Sequence, residues 1–143
     1  MFTSNSENPT VIKIASSFAL CFYLLAGTTA LQAQHYSQMI LIDSKMLKVK
    51  SKRDTFRVGT YSGKYSGISV ETVGANNIIK RVTVRFEDDS SQVINDSQLK
   101  FKNQRTDIIW FRTGSQAVEK VSILYDPDVP INEGAEIKLY GVR

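Results

Sequence analysis

The chain has 143 residues, with 18 Lys plus Arg against 14 Asp plus Glu, a net charge of +4, one cysteine and one histidine. That length suits one domain around one core, and the mild positive balance favours anionic partners without making the concentrated basic surface of a dedicated nucleic-acid binder. Cys21 and His35 both fall near the N-terminus, which leaves the rest of the chain without Ser-His-Asp or Cys-His catalysis, the common zinc sites or a disulfide.

The first element is an apolar run, Ile14 to Gly27, which follows the lone cation Lys13 and leads into small residues and then Ala30, Leu31, Gln32 and Ala33. This is the layout of a secretory signal peptide, predicted over residues 1–33 with cleavage after Ala33, or after Ala30 as the second choice. A membrane anchor needs about 20 apolar residues, and Ser16, Ser17, Thr28 and Thr29 shorten the strongly apolar part. Leu20 before Cys21 is too large for a lipoprotein site. The mature protein is therefore expected in the periplasm or outside the cell, without an anchor after cleavage, as one domain over residues 34–143.

Beyond that point the chain alternates nearly everywhere. Met39 to Ile42 reads as a first strand. Leu47 and Val49 then alternate with Lys48 and Lys50, Phe56 and Val58 flank Arg57, and Ile68 and Val70 flank Ser69. Val82, Val84 and Phe86 alternate with Arg81, Thr83 and Arg85, as do Val121, Ile123 and Tyr125 with Lys120, Ser122 and Leu124. Last come Ala135, Ile137 and Leu139, alternating with Glu136, Lys138 and Tyr140. A period of two places one set against a core and the other in solvent. Ile108, Ile109, Trp110 and Phe111 are apolar on both faces, which predicts a central strand or one whose outer face is covered, with Trp110 in the core.

Turn signals separate these runs at Gly59, Gly63, Gly67, Gly74 to Asn77, Glu87 to Ser91, Thr113 to Ser115 and Asp126 to Gly134. No stretch after residue 34 holds a helical apolar stripe. The fold class is all-β: a single antiparallel β-sandwich, jelly-roll-like, of about seven to nine strands.

The runs Lys48 to Lys50, Arg53 to Gly59, Gly63 to Ile68 and Ile79 to Phe86, with Val118 to Tyr125 and Ala135 to Gly141 at the end, resemble small exported bacterial β-sandwich proteins of unknown function, the YaaI-like group. That resemblance implies export and a sandwich, and brings no activity with it. Asp88, Asp89 and Ser90 replace the expected glycine turn of the central hairpin, so a turn longer than two residues is expected there. Leu139, Tyr140 and Gly141 are also similar to the last strand of galactose-binding-like jelly rolls, a likeness of fold alone.

Three groups of residues bear on function. Lys45, Lys48, Lys50, Lys52, Arg53 and Arg57 concentrate cations, and Lys48, Lys50 and Lys52 share a parity that would line them up on one strand face. Such a row suits an anionic envelope polymer, a lipid surface or an acidic protein; it equally suits protection of an edge strand. Glu87, Asp88 and Asp89, and Asp126 with Asp128, lack the ligand spacing of a calcium loop and read as solvated turn acids, so no metal or cofactor is expected. Among the aromatics Tyr36, Tyr61, Tyr65, Tyr125, Tyr140 and Trp110, Tyr61 and Tyr140 are the candidates for an exposed stacking surface. The expectation is a non-enzymatic binding module without a nucleic-acid partner. Its alternatives are a glycan-binding module using the tyrosines, and a hydrolase using Asp54, Asp107 or Glu136, whose carboxylates would have to converge in one cleft.

Overall fold

The alternating runs form strands in a computed structural model that describes residues 37–75 and 78–143. The predicted signal peptide, Cys21, His35, Tyr36, Asn76 and Asn77 lie outside the described residues. Eleven strands follow in order: β1 (Met39–Met46), β2 (Arg53–Arg57), β3 (Lys64–Tyr65), β4 (Gly67–Val73), β5 (Ile79–Phe86), β6 (Ser91–Asn95), β7 (Phe101–Lys102), β8 (Arg105–Thr106), β9 (Ile109–Trp110), β10 (Gln116–Tyr125) and β11 (Glu136–Val142). Four of these have only two residues; of the seven longer ones, alternation marks β2, β4, β5, β10 and β11, and β6 was not anticipated. Thr60–Ser62 and Asp96–Gln98 form short 3-10 turns.

Two antiparallel sheets pack as a sandwich. The first runs β1-β11-β4-β8-β7 with β9 also on β4; the second runs β2-β10-β5-β6 with β3 also on β10. Phe56, Val82, Val84, Val121 and Ile123 from the second sheet meet Ile68, Val70, Ile137 and Leu139 from the first, all at 0% exposure. Each such side chain contributes about 1.5–3 kcal/mol by leaving water. β3 fastens the sheets at one end, where the Tyr65 ring packs on Gly141 of β11 so closely that no side chain fits there. Phe86 and Phe111 close one flank in an edge-to-face pair with centroids 4.9 Å apart. On that flank the Gln92 side chain of β6 also bridges to the Trp110 carbonyl and the Arg112 amide.

β-Bulges re-aim single residues along these strands. Pairing jumps from Leu41↔Tyr140 to Asp43↔Leu139, which leaves Ile42 as an extra residue in β1. It also passes from Leu124↔Arg81 to Tyr125↔Ile79, which leaves Lys80 as the extra residue of β5. Lys80 and Arg81 are consequently both exposed. The expected longer turn between β5 and β6 is present: Glu87 to Ser90 connects them, with Asp89 at φ 66° and a Phe86 N–H to Ser90 carbonyl bond of 2.9 Å.

Three expectations need correction. Lys48, Lys50 and Lys52 form no strand row, because β1 stops at Met46 and the Ser51 amide bonds the Lys48 carbonyl to close a turn. Ser69 is buried, because Thr106 of β8 lies beside it and its carbonyl accepts the Ser69 hydroxyl at 2.8 Å. Trp110 is not core: β9 is a two-residue strand paired only with β4, and Trp110 is 52% exposed while its neighbour Phe111 turns inward.

Candidate functional site

One end of the sandwich carries a cluster of exposed cations. The β1–β2 connection, residues 47–52, crosses from the first sheet to the second, held by buried Leu47, whose amide bonds the Ala135 carbonyl. Lys48, Lys50 and Lys52 extend from it into solvent, and Arg53 follows at the start of β2. Arg53 pairs with Leu124 of β10, and Leu124 pairs on its other side with Arg81. The Lys52 carbonyl accepts the Tyr125 amide, which ties the loop to the end of β10. Lys52 and bulged Lys80 flank a shallow notch of about 290 Å³ floored by Leu124, Tyr125 and Pro127.

None of the four ion pairs among the described residues uses Lys48, Lys50, Lys52, Arg53 or Lys80. Of the acids at this end, Asp54 turns inward to accept the Tyr125 hydroxyl at 2.9 Å. Burial, with Asp54 beside it, pushes the Tyr125 phenol well above its ordinary range. Asp126 accepts the Asp128 amide at 3.0 Å.

The other candidate residues are elsewhere. Arg57 ends β2, about 13 Å along the strand from Arg53. It lines a wider cleft of about 930 Å³ on the flank between β1 and β2, where Lys45, Arg57 and Lys120 face Asp43, Glu87 and Glu119. The charges there balance. Tyr61 is fully exposed in the 3-10 turn after β2, whereas Tyr140 lies half-buried on the outer face of β11. Tyr61 thus stands on a turn and Tyr140 on a strand of the first sheet, and no ring contact joins them.

Tyr140 instead belongs to a polar cluster that the sequence did not single out. Its hydroxyl donates to Glu71 Oε2 at 2.7 Å, Arg105 Nη2 donates to the same oxygen at 3.1 Å, and the guanidinium lies 4.5 Å from the Tyr140 ring centre. The Tyr140 bond, reinforced by Arg105, holds the Glu71 carboxyl below its ordinary value, against the opposing effect of burial; burial and Glu71 raise Tyr140. Glu71 and Arg105 border a cleft of about 740 Å³ with Lys102 and Asp107. Both of the larger clefts are charge-balanced, whereas the smaller notch is lined by Lys52 and Lys80 with no acid in its wall, Asp126 and Asp128 lying on either side of Pro127. Register, read from structure, is the only signal that joins Glu71 to Arg105, 34 residues away.

The three carboxylates considered for hydrolysis occupy separate places. Asp54 is under Tyr125, Asp107 borders the Glu71 cleft after β8, and Glu136 on β11 faces Lys138 at 3.7 Å. Among the described residues no group of three His, Cys, Asp or Glu side chains is arranged to hold a metal ion. Glu87, Asp88 and Asp89 are turn acids, and hydrogen bonds from Ser90 hold Asp88 below its ordinary value.

Fold and site together define a two-sheet antiparallel sandwich with a basic loop at one end. A family model, the domain of unknown function DUF2541, matches residues 18–141, and the chain belongs to that family. Curated proteins give no match and solved structures give none, so the similarity to the YaaI-like group and to galactose-binding-like jelly rolls rests on sequence motifs alone.

Proposed function

We propose that this domain is an exported, non-catalytic binding module whose basic end, Lys48, Lys50, Lys52 and Arg53 with Lys80, engages an anionic component of the cell envelope. The observation that carries the reading is the concentration of exposed cations: Lys48, Lys50, Lys52 and Arg53 extend into solvent from one short tethered loop and its junction with β2, and none of them is held in an ion pair as Arg85, Arg105 and Lys138 are. Unpaired cations on one surface attract polyanions over roughly a Debye length, and their side chains keep the freedom to match an irregular charge array. Arg57 and Tyr61, at and beyond the other end of β2, are exposed but lie outside the proposed surface.

The test is equilibrium binding of the mature domain to immobilised dextran sulfate across a salt series. Screening shortens from about 30 Å at 0.01 M to about 8 Å at 0.15 M, so affinity is expected to fall steeply between these limits. No binding at low salt, or binding indifferent to salt, would overturn the proposal. The Arg105 guanidinium over the Tyr140 ring argues against the glycan alternative, and the separate surroundings of Asp54, Asp107 and Glu136 against the hydrolase.

A further inference from the structure

The basic end is not purely polar. Val49 sits at the tip of the β1–β2 turn between Lys48 and Lys50 and is 58% exposed; Met46, which ends β1, is 64% exposed. They are the two most exposed aliphatic side chains among the large hydrophobics of the described residues. The Leu124, Tyr125 and Pro127 notch opens at the same end, because Arg53, which follows the loop, pairs with Leu124. Apolar groups are thus interleaved with Lys48, Lys50, Lys52 and Lys80.

A soluble polyanion uses the lysines and gains nothing from exposed Val49 and Met46. A bilayer containing acidic lipid uses both: headgroups meet the ammonium groups, and short apolar side chains enter the headgroup–acyl boundary while lysine stems reach back toward water. The small volume of the notch suits a few methylenes beside a phosphate, not the enclosure of a whole lipid. Resting on the anionic-surface reading above, we infer that the occupant of this end is the surface of an acidic phospholipid bilayer, docked peripherally through Met46, Val49 and the Leu124–Pro127 notch.

Co-sedimentation with phosphatidylcholine vesicles, with and without phosphatidylglycerol, tests this alongside dextran sulfate binding. The mature domain is expected to bind only the vesicles containing phosphatidylglycerol. The Met46→Ser/Val49→Ser double variant should lose about tenfold in vesicle affinity and keep its dextran sulfate affinity, as expected from one or two aliphatic groups withheld from burial. Leu124→Ser serves as a second probe with the same expectation. Binding to dextran sulfate but not to vesicles would overturn the bilayer inference and leave the anionic-surface reading standing. Equal loss toward both probes would also overturn it, since the apolar residues would then act only through loop shape. Binding to neither would remove both.

Discussion

The Lys45 ammonium of β1 lies 4.8 Å from the centre of the Phe56 ring on β2, and it donates a hydrogen bond to the Thr55 carbonyl. Lys45 thereby closes the flank where β1 and β2, the edge strands of the two sheets, face each other. It is the first of six cations clustered in sequence, yet it is committed to structure. Lys45→Met keeps most of the stem and removes the cation–ring contact and the hydrogen bond. It should cost about 1 kcal/mol in urea unfolding and leave dextran sulfate affinity within twofold. A large loss of binding without loss of stability would put Lys45 in the recognition surface.

The Tyr65 ring packs directly against the backbone of Gly141. A Cβ added there overlaps Tyr65 and comes within 2.9 Å of Ile42 Cδ1. Gly141→Ala is therefore expected to destabilise by about 1–3 kcal/mol through overpacking, read as a lowered denaturation midpoint. An unchanged midpoint would mean that Tyr65 has another place to go and that the clamp at this end is dispensable.

Glu71 sets an acid limb. Its folded-state carboxyl is held below the ordinary 4.5 by Tyr140 and then Arg105. The stabilisation is thus fully present above the unfolded-state value and is lost as pH falls through the lower folded-state value. Glu71→Gln should be less stable than the parent at pH 7, by about 1 kcal/mol. The difference should shrink as pH drops below about 4.5. A constant difference from pH 7 to pH 3 would contradict the assignment.

The long strands were legible because Val82, Val84 and Phe86, or Ile137 and Leu139, repeat a period of two for long enough to define a face. Shorter runs misled. Leu47 to Lys50 alternates for four residues inside a turn, where alternation carries no face. Trp110 stands in an apolar run, but hydrophobicity cannot report that β9 has a neighbour on one side only, nor that its outer face lies bare. Ser69 looked like a solvent-side residue because the chain that covers it, Thr106, arrives from 37 residues away. The basic character of residues 48–53 was legible from composition. The contribution of Lys80 was not, because it depends on a bulge set by register with β10.

Export is an expectation of residues 13–33 and is checked by intact mass. Expressed with its own N-terminus in a secreting host, the protein should begin at Gln34, or at Leu31 if cleavage follows Ala30. Retention of Met1 in the exported fraction would contradict the signal-peptide reading and would remove the envelope from the proposed function.

Charge reversal in the loop is the sharpest test of whether this end of the sandwich binds anions. Lys48→Glu/Lys50→Glu changes two exposed side chains that belong to none of the ion pairs among the described residues. Stability should therefore stay within about 0.5 kcal/mol of the parent, while dextran sulfate affinity at low salt should fall by at least about tenfold. Parental affinity in a folded double variant would contradict the claim that this end of the sandwich is the binding surface.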